Sequence, residues 1–160
     1  MTATRESFAT ANMAAWPIFL LRIYAGVLFA IHGWGKVSRE GGFGDGMVGF
    51  LQSNAEKAYD FYWPLVEQFV LPNKDLVASL VGWGELSLGV ALVLGLASRF
   101  AALGGMFLML NFWFVKGASF WTATNYDAVW LMIFMVLAFT PSGQIWGLDR
   151  RFSYRVGILR

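Results

Sequence analysis

Apolar residues in this chain gather into four long blocks, and polar residues return between them. The blocks cover about 16–37, 76–97, 100–116 and 126–140. A helix needs roughly 20 apolar residues to cross a bilayer, and the first two blocks supply them. The last two are shorter, so their helices are expected to extend into flanking Trp and Tyr or to stand nearly upright. Pro17 suits a helix start, where a missing N–H costs nothing. Pro141, Ser142 and Gly143 stop the fourth block.

The connections differ in kind. Residues 97–99 leave room only for a tight turn, which makes the second and third spans antiparallel neighbours. The stretch 38–75 is long and opens on Gly41, Gly42, Gly44 and Gly46. Met47, Phe50 and Leu51 then recur at helical spacing, and a second amphipathic piece covers about 55–70 with Pro64 inside it. The expected fold is therefore all-α. It is an integral membrane four-helix bundle with short amphipathic surface helices in the loop between the first two spans. Residues 1–15 form a polar leading segment, 16–152 the transmembrane domain and 153–160 a basic tail. No cleavage pattern follows the first block, which is read as a retained helix.

Composition sharpens this reading. Of 160 residues, 58% are hydrophobic and 14% charged, against about 25% charged in a soluble domain. Mean hydropathy is +0.55. The absence of cysteine from the sequence excludes thiol redox chemistry and thiolate-held clusters. The single histidine, His32, cannot supply a pair of haem ligands or most of a zinc site, so no metal is expected. A net charge of +2 without a basic, aromatic-interleaved run gives no case for nucleic acid. Four spans put both termini on one side. Arg150, Arg151, Arg155 and Arg160 cluster there, which places that side in the cytoplasm.

Ionisable groups inside apolar spans are costly, so each must face a partner or a cavity. Arg22 lies in the first span, Glu85 in the second and Asn111 in the third, while His32 and Asp127 lie toward the outer side. At 1.5 Å per residue, Arg22 is about 9 Å from Trp16, and Glu85 is about 14 Å from the opposite edge. The axial gap is then about 7 Å, short enough for an arginine to bridge. Arg22, Gly26, Phe29, Gly33 and Lys36 share one stripe of the first span. Gly82, Glu85, Gly89 and Leu92 share one of the second. These stripes are expected to face each other.

Two readings of the polar set stay open. In one, Arg22 and Glu85 form a structural ion pair, Asn111 makes an interhelical hydrogen bond, His32 sits at the interface, and Lys36 and Lys116 snorkel to headgroups. In the other, Arg22, His32, Glu85 and Asn111 line a ligand site. A quinone needs an apolar slot with one or two donors at its carbonyl oxygens, and Arg22, His32 and Asn111 are donors of that kind. No P-loop, metal-ligand spacing or nucleophile beside a base marks a catalytic site.

The run Leu21-Arg22-Ile23-Tyr24-Ala25-Gly26, then Phe29, His32-Gly33 and Lys36, resembles the first helix of the DoxX family. The run Gly84-Glu85-Leu86, then Gly89, Leu92, Leu94-Gly95-Leu96 and Arg99, is similar to its second. Gly143 to Leu148-Asp149-Arg150 looks like its closing element. The resemblance covers about 16–152. It implies a four-helix, multi-pass protein of the prokaryotic cytoplasmic membrane, in a family that includes the small membrane subunit of a thiosulfate:quinone oxidoreductase. The expected role is a membrane-embedded accessory or anchoring subunit of a larger redox or photosynthetic complex, in contact with lipid and other membrane subunits. The alternative is a quinone-linked oxidoreductase subunit, with the ring molecule held between the helices and no cofactor intrinsic to the chain.

Overall fold

The computed structural model describes the backbone of residues 3–122 and 125–152 and the side chains of 15–122 and 125–151. The basic tail 153–160, with Arg155 and Arg160, lies outside the described residues. Among the described residues every regular element is helical. In chain order these are α1 (Ala3–Val37), α2 (Gly44–Asn54), α3 (Trp63–Leu65) running into a π-helical turn (Val66–Val70), and α4 (Lys74–Leu94). Then come α5 (Ser98–Lys116), α6 (Tyr126–Phe139), a 3-10 turn (Ser142–Gln144) and α7 (Asp149–Phe152).

Three helical stretches are long and apolar enough to cross a membrane: Ala15–Val37, Lys74–Leu94 and Ser98–Lys116. The apolar α6 has 14 residues and measures about 21 Å. Pro17 falls inside α1, not at its start. Alanine-rich sequence just before it favours helix, and proline there forfeits one backbone bond while the helix runs on. The outward sides of these helices carry large exposed apolar groups, such as Leu20, Ile31, Trp34, Leu80 and Phe107. In a membrane protein that surface meets lipid.

The two stripes read from sequence do face each other. Arg22, Gly26, Phe29 and Gly33 are buried on α1, as are Gly82, Glu85, Gly89 and Leu92 on α4. Glycine lets the backbones touch. A methyl added at Gly26 would lie 2.8 Å from Val93 N, one at Gly33 would strike Leu86 N, and one at Gly89 would strike Ala30 N. Between α5 and α6 the same device recurs, with Phe134 seated on Gly105. Phe29 and Phe134 meet edge to face at 4.9 Å and tie α1 to α6.

The bundle has two distinct ends. At one, the α1–α4 loop meets the loop after α5, where Tyr59 N donates to Phe114 O at 3.0 Å and Gly117 packs on the Lys57 carbonyl. Here α2 and α3 do not stand apart from the spans. Met47, Leu51 and Val66 are buried with Ala78 of α4 and Val115 of α5. At the other end, α4 turns into α5 through Gly95 (φ 64°) and Ala97 (φ 49°). The segment after α6 lies along that turn. Leu148 N donates to Leu94 O at 3.1 Å, and Asp149 N donates to Gly95 O at 2.8 Å.

Candidate functional site

Arg22 belongs to the turn end. It is fully buried, and its Nη1 donates to Ile145 O at 2.9 Å and to Ser142 O. Its guanidinium also lies 5.3 Å from the Phe19 ring centre. Gly95 and Gly147 leave room for it, since a methyl on either would come within 2.9 Å of Nη1. Nearby, the Asp149 carboxylate accepts from Ala97 N at 2.6 Å and Ser98 N at 2.9 Å. Those are amides at the start of α5, which no intrahelical carbonyl can reach. Asp149 therefore caps α5 from outside the helix, and its charge acts on Arg22. Arg22 Nε and Nη2 and Ser98 Oγ make no hydrogen bond among the described residues.

The expected ion pair between Arg22 and Glu85 is not formed. Glu85 is buried and pairs with Lys36, whose Nζ lies 2.5 Å from both carboxylate oxygens. Helix register is the cause. The glycine contacts set Gly33 against Glu85 and Leu86, and Gly26 against Val93. Arg22 is then 11 residues from the level of Glu85, about 17 Å along the axis, while Lys36 is less than a turn away. Depths counted from separate span edges carry no information on this offset.

Lys116 likewise turns inward instead of reaching for headgroups. Its Nζ is 2.8 Å from Asp127 Oδ2, and it stands 5.9 Å from the Phe50 ring centre. Lys36 is 5.6 Å from the Phe112 ring. His32 is exposed on the outer side of α1 and does not join the others. Hence Arg22, His32, Glu85 and Asn111 do not share one cavity.

A cavity does exist, at a place the sequence marked only through Asn111. It lies between α4, α5 and the helices of the long loop and has a volume of about 540 Å³, within the usual range for small-molecule sites. Its deep end is built from Met47, Leu51, Val66 and Val115, which are buried. Its mouth is flanked by Leu65, Phe69, Leu80 and Phe107, which are exposed. Of the residues that line it, Tyr62 and Asn111 alone carry a polar side-chain group of oxygen or nitrogen. The Tyr62 hydroxyl donates to Asn111 Oδ1, and Asn111 Nδ2 donates to Phe107 O at 2.6 Å. Burial raises the Tyr62 pKa above its ordinary value and keeps the hydroxyl protonated.

Sequence reasoning missed Tyr62, because its partner is 49 residues away across two elements. The available signal was its place among Phe61, Trp63 and Leu65 in an amphipathic piece, where a tyrosine needs a partner for its O–H. Lys36 was visible on the Arg22 stripe, and its i+3 spacing from Gly33 pointed it at α4. Asp149 could have been suspected as an acid placed just after a glycine-rich turn.

The comparisons with known proteins bear on the same helices. No curated protein and no solved structure matches the chain. The DoxX family model matches residues 18–118. That segment holds α1 from residue 18 onward, the loop helices, α4 and α5, and with them the cavity, the Lys36–Glu85 pair and Arg22; the Gly143-to-Asp149 element falls beyond it. With more than half of its length matched, from the buried arginine of the first helix to the end of the third apolar one, the chain belongs to the DoxX family.

Proposed function

We propose that this DoxX protein is an accessory subunit of a membrane redox complex and contributes a binding chamber for a quinone-like ring carrier. The carrying observation is the cavity beside Asn111 and Tyr62. It is apolar, it opens between exposed apolar side chains, and it holds two polar groups at one wall. Such a chamber admits a ring amphiphile sideways from the bilayer and orients it by its oxygens. Electrons pass through a partner subunit, since the sequence offers neither cysteine nor a set of haem ligands.

In this reading α6 completes a four-helix bundle with a fourth crossing. The protein sits in a prokaryotic cytoplasmic membrane with both termini inside, so the cavity lies in the outer half. An open groove of about 630 Å³ along α1 and α6, walled by Leu21, Val129, Met132 and Val136 and rimmed by Trp121, is where a helix of the partner rests.

The test is isolation from native membranes in mild detergent, followed by solvent extraction and mass spectrometry. A quinone-type molecule and defined partner subunits are expected to accompany the chain. Gly84 lines the cavity with open space above it, so G84F should expel the molecule and leave the partners in place. A chain that comes out alone and free of any ring compound overturns the proposal.

A further inference from the structure

The cavity's polar pair has a fixed direction. A backbone carbonyl only accepts, so the Asn111 side-chain atom against Phe107 O must be the amide nitrogen. The oxygen of that amide then faces Tyr62, and the Tyr62 hydroxyl must be the donor. Its one hydrogen is thereby used. What Tyr62 still presents to the cavity is an oxygen lone pair, and Asn111 retains its second Nδ2 hydrogen.

A ligand carbonyl can accept from that second amide hydrogen but offers nothing to Tyr62. Two oxygens would then oppose each other without a proton between them. A ligand hydroxyl satisfies both groups, because it donates to Tyr62 Oη and accepts from Asn111 Nδ2. Resting on the ring-carrier reading above, we infer that the cavity selects the hydroxyl-bearing, reduced form of the carrier, a quinol, over the quinone. Tyr62 and Asn111 act as specificity-determining residues that read the ligand's hydrogen. Elsewhere the cavity wall is apolar, so this one contact separates two molecules of nearly identical shape. The raised pKa of Tyr62 keeps the arrangement intact through neutral and mildly alkaline pH.

The experiment is anaerobic calorimetry of the detergent-solubilised protein with a short-chain benzoquinone and the matching hydroquinone. The hydroquinone should bind about tenfold more tightly, the effect of one hydrogen bond made or left unmade at a buried oxygen. The double variant Y62F/N111L removes both polar groups and should abolish the difference by weakening the hydroquinone more than the quinone. N111L alone should also erase it, because a freed Tyr62 hydroxyl can donate to a carbonyl and can donate to or accept from a hydroxyl. Equal or tighter binding of the quinone to the unaltered protein overturns the inference, as does a preference that survives the double variant. If quinone binds and G84F blocks it, the ring-carrier reading stands even where the selectivity fails. If neither form binds, both fall.

Discussion

Lys36 on α1 sets its ammonium 2.5 Å from both carboxylate oxygens of Glu85 on α4. Glu85 is 3% and Lys36 20% exposed, so the buried carboxylate depends on the ammonium to offset its charge. Removing one partner strands the other, which costs about 3–5 kcal/mol, whereas replacing both with apolar groups is often neutral. K36M and E85L should each lower the thermal midpoint in detergent sharply, and the double variant should recover most of the loss. A double variant no better than the worse single would show that the two residues act independently.

The α1–α4 contact depends on glycine at named points. A methyl at Gly33 or Gly89 meets backbone of the facing helix, which cannot move aside like a side-chain tip. G33A and G89A should each destabilise by about 1–3 kcal/mol. At Gly35 nothing lies within 4 Å, so G35A should be neutral or gain up to about 1 kcal/mol from helix propensity. Chemical denaturation of the three variants side by side checks the contrast.

Arg22 and Asp149 hold the turn end from two directions. R22M leaves two carbonyls without their charged donor and should cost on the order of 3 kcal/mol. D149A uncovers Ala97 N and Ser98 N and should cost about 0.5–2 kcal/mol, the usual toll of a lost cap. Hydrogen exchange should show faster exchange at those two amides in D149A, with the Lys36 end unaffected. Protection that stays unchanged there would remove Asp149 from the capping role.

Topology can be read without background, since the native sequence has no cysteine. S53C and S119C belong to one end of the bundle and L148C to the other. In intact cells a membrane-impermeant maleimide should label the first two and spare the third. Labelling of all three, or of L148C alone, would refute the proposed orientation.

Asp45 offers a pH test outside the spans. Its carboxyl accepts from Lys74, and that bond, with the attraction between the charges, lowers its pKa below the ordinary 3.8. A depressed acid stabilises the fold above its unfolded pKa and loses that contribution as pH falls through the folded value. Asp45 is exposed and Lys74 partly so, which makes the effect small and screened by salt. D45N should melt slightly lower than the parent at neutral pH in low salt. The gap should close below pH 3.8 and in molar salt; a gap that ignores both would rule out the ion pair as its source.

How far the sequence carried the fold depends on the range of the interactions concerned. Apart from the start of α1, the helix limits follow to within a few residues from local periodicity and glycine placement, as do the buried stripes on α1 and α4; the tight turn expected at 97–99 comes slightly earlier, because Gly95 ends α4. Register between helices does not, because it is set by contacts such as Gly33 on Leu86 that no span-edge count can see. That is why Glu85 was matched with Arg22 and not Lys36. A lysine near a helix end can reach headgroups or fold inward with equal ease, and its partner decides. For the cavity, Asn111 was legible as a polar group in an apolar helix. Tyr62 was not, since only the packing of the long loop against α5 brings it there.

The Asp149 carboxylate serves amides made 52 and 51 residues earlier. During synthesis the α4–α5 hairpin therefore reaches the bilayer with its connecting bend still open to solvent and headgroups. Only when residue 149 leaves the ribosome can that bend be sealed, so the latch on α4 and α5 is delivered well after both helices have been made. Shortened transcripts that stop before it would yield a protein with its spans in place and its door ajar.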